Sequence, residues 1–367
     1  MGGSRILSCP IPGFAGWGSP AELAGDGIRS GVRELPLARF AVGRAAVQRT
    51  DDVWLAAARE APSSQVVLVR DGSVLTTGGG PGADPWGQPD PDVALVVLDP
   101  GAAVATAGTV NDDAWLFLGH DDVAWFAVRV PGTGAAALVG SSSDALVHAP
   151  PEEPPHDEPV WTPLRAVGAV LSARDAGLAT TAVALDQWHT RNLCCPRCGG
   201  RTSSAAGGWV RVCQVDGAEH YPRTDPAVIM AVVDDDDRLL LAHAAAWPER
   251  RWSTLAGFVE AGEPLEAAVR REVAEETGVV VTDVQYVASQ PWPFPASLML
   301  GFRARAQAAE PHPDGTELTD ARWFTRTELA AAVSAGDVVP PGPTSIARAL
   351  IEEWFGGPLL AVRDRLR

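Results

Sequence analysis

The sequence contains no lysine: all 29 basic residues of its 367 are arginine, against 46 acidic ones, for a formal net charge of −17. Such a surface repels polyanions, which excludes nucleic-acid binding through a broad basic face; phosphate must be met locally, by metal ions or a small arginine patch. No apolar run approaches the roughly 18 residues that a membrane helix needs. The opening MGGSRILSCPIPGFAGWGSP has no basic stretch leading into an apolar core, so the expectation is a cytoplasmic protein with no membrane partner. Cysteine is scarce too. Five residues, Cys9, Cys194, Cys195, Cys198 and Cys213, are an odd number with four of them clustered, which argues against a disulfide framework and for thiols used as metal ligands.

What is present is an ordinary globular composition, 46% hydrophobic and 20% charged, long enough for two or three domains. Residues 1–150 hold short strand-like runs, QVVLV, SVLTT, VALVVLD, AWLFLG and AWFAVRV, with Asp71-Gly72 marking a hairpin between the first two. This part is expected to be β-rich. The stretch GGGPGADPWGQPDPD (78–92) reads as a loop and APPEEPPHDEP (149–159) as a linker. Residues 151–190 give that linker and two helical pieces broken near Asp175, 191–222 the cysteine cluster, and 223–356 a mixed pattern of strands around a central helix, an α/β/α sandwich. The fold class is therefore α+β. The run Asp234 to Asp237 reads as a solvated turn between two strands.

The central helix lies in GFVEAGEPLEAAVRREVAEETGV (257–279). Pro264 suits its first turn and Gly278 a left-handed cap, while Leu265, Ala268, Val269 and Val273 keep one apolar side. Glu272, Glu275 and Glu276 stand at i, i+3 and i+4, where like charges destabilise a helix. Taken alone this could be a solvated Glu/Arg face. Three convergent carboxylates also suit a hard cation such as Mg²⁺ or Mn²⁺.

The spacing of the whole stretch decides between the two. Gly257, five residues, Glu263, seven residues, Arg271-Glu272-Val273, one residue, Glu275-Glu276, one residue and Gly278-Val279 match G-x5-E-x7-R-E-U-x-E-E-x-G-U, with U aliphatic, at every defined position. This resembles the Nudix box, the cation- and pyrophosphate-binding motif of a family that hydrolyses nucleoside diphosphates linked to another moiety. Ten residues on, after the strand-like run VQYVA, comes SQPWPFPAS (289–297); the two motifs together resemble the NADH pyrophosphatase branch. Its prolines suggest a stiff loop rather than a strand, one able to hold Trp292 and Phe294 ready to pack on a flat base.

The resemblance covers roughly residues 164–355 and implies the site. The Ala256 carbonyl, Glu272, Glu276 and Glu317 would hold the divalent cations, with Glu275 a candidate base or further ligand and Arg271 orienting the carboxylates. Gln290, Pro291, Trp292, Pro293, Phe294, Pro295, Ala296, Ser297 and Ala347 would line the substrate pocket, and Tyr221 would contact substrate. His189 reads as a packing or orienting residue rather than a catalyst. Cys195, Cys198 and Cys213 have zinc-ribbon spacing, but Asp216 stands where the branch has a fourth Cys; Asp216 or His220 could complete a structural Zn²⁺ site, and a ribbon without metal is the alternative. Cys194, beside Cys195, is poorly placed as a ligand. The implied activity is hydrolysis of NADH or NAD⁺ to a nicotinamide mononucleotide and AMP, with NAD-capped RNA as a further substrate and a homodimer as the assembly. ADP-ribose hydrolysis is the alternative within the enzyme class, and a non-catalytic nucleotide sensor the alternative outside it.

Overall fold

The computed structural model describes residues 34–80, 83, 84, 86, 90–132 and 158–359. Cys9, the opening stretch and nearly all of the acidic linker lie outside the described residues, as does part of the Gly/Pro-rich loop.

The first sheet comprises β1 (Gln65–Arg70), β2 (Ser73–Thr77), β3 (Ala94–Leu95), β4 (Trp115–His120), β5 (Ala124–Arg129) and β6 (Val160–Pro163). Its order is β3-β2-β1-β5-β4, with β6 against β2. The expected hairpin is there: Asp71 and Gly72 take φ of 50° and 79°, the left-handed pair that a two-residue hairpin requires. Of VALVVLD, Ala94 and Leu95 pair with β2 as β3 and Leu98 bridges to Val66 of β1; the run ends where Asp99 accepts the N–H of Ala102 and Pro100 opens α2 (Pro100–Ala107).

The sheet is covered on both faces. Along β1, Val66 and Leu68 pack with Leu55 of α1 (Asp52–Glu60) and Ala103 of α2, while Val67 and Val69 pack with Ala179 and Val183 from a later helix. That helix follows the short α3 (Leu164–Val167) and is α4 (Ala173–Arg191). The break between them falls before Ser172, whose hydroxyl caps α4 by accepting the N–H of Asp175 at 3.1 Å. Asp175, expected at the break, instead lies in the first turn of a continuous helix.

Three short antiparallel strands, β7 (Thr202–Ala205), β8 (Val210–Cys213) and β9 (Glu219–His220), carry the cysteine cluster. The last unit is a sandwich. Its sheet has β10 (Asp225–Val233), β11 (Leu239–Ala244), β12 (Leu255–Phe258), β13 (Val281–Trp292), β14 (Ser297–Ala306) and β15 (Leu318–Phe324), ordered β13-β14-β10-β11-β15 with β12 on β10. Alternation along β10 builds two cores: Val228, Met230 and Val232 face Ala268, Val269 and Val273 of α5 (Leu265–Thr277), and Ile229 and Ala231 face Leu329 of α6 (Arg326–Ala335) and Leu350 of α7 (Ile346–Phe355). This is the expected α/β/α arrangement.

Two expectations need correction. Asp234 is not solvated; it is fully buried, its carboxylate accepting the N–H groups of Asp236 and Arg238 and pairing with the Arg238 guanidinium at 2.7 Å. The proline arch is not wholly a loop either: β13 continues through Gln290, Pro291 and Trp292, paired with Met299, Leu298 and Ser297. Because β13 is an edge strand, it needs ladder hydrogen bonds on one side only, and proline is tolerated there. The turn proper is Pro293 to Ala296, with a cis Phe294–Pro295 bond.

Candidate active site

The helix that presents the carboxylates is bounded as its sequence suggests, with Pro264 at the N-cap and Gly278 at φ 71° after the last turn. Burial then separates three chemically equal side chains. The Glu272 side chain is 12% exposed and Glu276 is 8% exposed, whereas the Glu275 side chain is 62% exposed. A Cβ at Gly257 would fall 1.9 Å from the Glu272 carboxyl carbon. Only glycine leaves room for that carboxylate against β12, next to Ala256.

Arg271 holds this end together. It clasps Glu263 through two bonds of 2.8 Å, donates to the Phe258 carbonyl at 2.9 Å and pairs with Glu272 at 2.9 Å and Glu275 at 3.0 Å. The Arg271 bonds, with the N–H of Glu260, hold the Glu263 carboxyl down to about 2. Glu317 reaches the site on a loop fastened by Asp314, which accepts the N–H groups of Thr316, Glu317 and Leu318 and whose own N–H meets the Glu276 carbonyl at the end of α5.

The result is a concentration of negative charge that Arg271 offsets at Glu263, Glu272 and Glu275. Burial first, then the charges of Glu272, Glu317, Asp314 and Glu275, push Glu276 up from 4.5 to about 8; burial also raises Glu272, against the pull of Arg271. One buried Glu276 oxygen, Oε2, has no hydrogen-bond partner. An orphaned carboxylate oxygen and a glycine that clears space for its neighbour fit a bound cation.

Glu276 and Glu317 open onto a cavity of about 430 Å³ that Ala256, Trp292 and Ala347 also line, within the range of small-molecule sites. Trp292 packs edge-on against Phe294, ring centroids 5.1 Å apart, and the Arg165 guanidinium lies 4.4 Å over Phe294. Gln290 is fully buried and donates to the Thr344 carbonyl at 3.1 Å, which ties the arch to the loop before α7. Tyr221 is not brought to the cavity of this chain: it is 63% exposed, its hydroxyl donating to Glu219. His189 is the packing residue expected, buried between Arg211 and the Gly208 carbonyl, with its pKa lowered to about 4 chiefly by burial.

Several cavity residues carry no local signal in the sequence. Trp86, Arg165 and Trp247 line it, yet in sequence they are ordinary aromatic and basic residues in loops or a short helix, separated from the box by many positions.

In the cysteine cluster, one ligand atom each from Cys195, Cys198, Cys213 and Asp216 lie within 4.8 Å of one another. The N–H groups of Arg197, Gly200 and Val215 point at the three sulfurs at 3.4 Å, and the N–H of Ala218 meets Asp216 at 3.0 Å. Asp216 thus repeats the cysteine pattern of a donor two residues on. This four-ligand geometry fits a structural zinc site; Cys194 is exposed and outside it.

A two-faced sandwich whose loop–helix–loop turns a buried carboxylate, Glu276, into a cavity defines the class of Nudix domains. Comparison with known proteins narrows this. The NUDIX domain family model matches residues 223–341, the NADH pyrophosphatase zinc ribbon domain residues 191–221 and the NADH pyrophosphatase-like rudimentary NUDIX domain residues 63–188. The chain is 47% identical over 201 residues to an NAD-capped RNA hydrolase NudC of Mycobacterium bovis, a match covering 52% of this chain and 64% of the relative. It is 42% identical over 198 residues to the human NAD-capped RNA hydrolase NUDT12, covering 50% and 43%. The chain therefore spans less than two thirds of the length of these relatives. A solved NUDIX hydrolase from Nitrosomonas europaea aligns at 26% identity and a TM-score of 0.35, covering 46% of this chain and 95% of that one. Residues 63–341 thus carry, in order, the NADH pyrophosphatase-like rudimentary NUDIX domain, the NADH pyrophosphatase zinc ribbon and a NUDIX domain.

Proposed function

We propose that the protein hydrolyses the pyrophosphate bond of NADH and NAD⁺ to a nicotinamide mononucleotide and AMP, and cuts the same bond in NAD-capped RNA. The observation that carries this is the pair of carboxylates, the buried Glu276 and the exposed Glu317, opening onto the cavity that the arch residue Trp292 also lines. Glu272, Glu276, Glu317 and the Ala256 carbonyl would hold Mg²⁺ or Mn²⁺. When bound, the cation supplies the positive charge that a pyrophosphate requires. Arg271 and Glu263 fix the carboxylates in place, and Glu275, exposed beside them, is the group left to take the proton of the attacking water or to join the ligands. Water adds across the P–O–P bridge, one phosphate gaining the hydroxyl and the other the proton. Trp292 offers a flat surface for a ring.

Zn²⁺ held by Cys195, Cys198, Cys213 and Asp216 would be structural, since four protein ligands leave no open position. The same reading carries a homodimer and a cytoplasmic setting, the latter suited to four unbridged thiols. No helix among the described residues is long and apolar enough to cross a membrane.

Competition among substrates tests the proposal. NADH, NAD⁺, NAD-capped RNA and ADP-ribose are offered together with Mn²⁺ and the products resolved by chromatography; a higher kcat/KM for the nicotinamide substrates is expected. Preference for ADP-ribose would overturn the substrate assignment.

A further inference from the structure

The cavity has an aromatic wall that belongs to neither motif. Trp86, from the N-terminal part of the chain, and Trp247, from the turn after β11, both line it. Their rings meet edge-on at 64°, with centroids 5.6 Å apart, rather than stacked face to face.

Both are held to the catalytic domain. The Arg251 guanidinium lies 4.9 Å over Trp86 and 3.7 Å from the Asp84 carboxylate. The backbone around Arg251 is fixed in turn: its carbonyl meets His243 Nδ1 of β11 at 2.7 Å, and the neighbouring Arg250 carbonyl accepts the N–H of Val339 at 2.7 Å. The turn that carries Trp247 is anchored beside the cation site, where the N–H of Ala245 donates to the Glu317 carbonyl at 2.9 Å.

A dinucleotide carries two flat ring systems, one on each side of its pyrophosphate. Trp292, braced by Phe294, provides a stacking surface for one. We infer that Trp86 and Trp247 form the subsite for the other ring, so that the N-terminal domain, which lacks the box, completes the substrate pocket by contributing Trp86. This rests on the pyrophosphatase reading above.

The two product mononucleotides separate the subsites. Binding of AMP and of nicotinamide mononucleotide is measured calorimetrically, each with Mg²⁺, on the full chain and on Trp86→Ala, Trp86→Phe and Trp292→Ala. Trp86→Ala should weaken one product about tenfold, equivalent to about 1.4 kcal/mol, and that product should be the one Trp292→Ala spares. Trp86→Phe, which keeps a ring, should retain the affinity. The inference is overturned if Trp86→Ala leaves both affinities within about twofold, or weakens the same product as Trp292→Ala. A wild type that binds neither product overturns the inference together with the reading beneath it.

Discussion

Replacing Glu276 with glutamine should stabilise the protein in the absence of divalent cations, although it removes a central carboxylate. The folded protein raises this carboxyl from 4.5 to about 8, so between those values it retains a proton that the unfolded chain releases. Stability is therefore highest below pH 4.5 as far as this group is concerned, and falls as pH rises through the window toward 8. At about 1.4 kcal/mol per tenfold change in proton affinity, full ionisation costs roughly 5 kcal/mol, which for a domain of this size corresponds to a drop in melting temperature of about 10 °C or more. The assay is a thermal melt from pH 5 to pH 9 of wild type and Glu276→Gln, dialysed free of Mg²⁺ and Mn²⁺ without chelator. The wild-type curve should fall with pH and the variant's should fall much less. Added Mn²⁺ should restore the wild type at pH 8 and do little for the variant. Parallel curves for the two proteins would refute the argument that Glu276 is a buried, like-charged carboxyl awaiting a cation.

Gly257→Ala should abolish detectable turnover and weaken Mn²⁺ binding, measured by calorimetry, because its Cβ would occupy the place of the Glu272 carboxyl. Arg271→Lys should lower kcat by about tenfold or more, as a single ammonium cannot reproduce the fork that holds Glu263, Glu272 and Glu275 together; steady-state kinetics would show it, with KM little changed. Asp216→Ala should lower the zinc content measured by mass spectrometry and destabilise the ribbon, whereas Asp216→Cys should retain metal against chelator better than wild type.

The part of the site legible in the sequence is the part built from contiguous chain. One helix repeat and two glycines specify where Glu272 and Glu276 go, and the arch that delivers Trp292 lies only ten residues beyond. Glu317 was legible only through its family position, since the loop fastened by Asp314 gives an exposed Glu no local distinction. Trp86, Arg165 and Trp247 were not legible: tertiary packing brings them to one cavity from positions that spacing does not connect. Pro291 misled for a related reason. A proline argues against a strand until the sheet order makes that strand an edge. Asp234 looked like one of four solvated acids until Arg238 and two backbone N–H groups turned it inward.

The most direct test of the central claim, that these carboxylates support cation-dependent hydrolysis of a nicotinamide dinucleotide, is the product analysis of NADH incubated with Mn²⁺ and either wild type or Glu276→Gln. The account predicts AMP and reduced nicotinamide mononucleotide in equal amounts from the wild type, none without the cation, and a loss of at least about 100-fold in rate for the variant, the scale of removing one such electrostatic group. Intact NADH under every condition, or equal turnover by the variant, would contradict it.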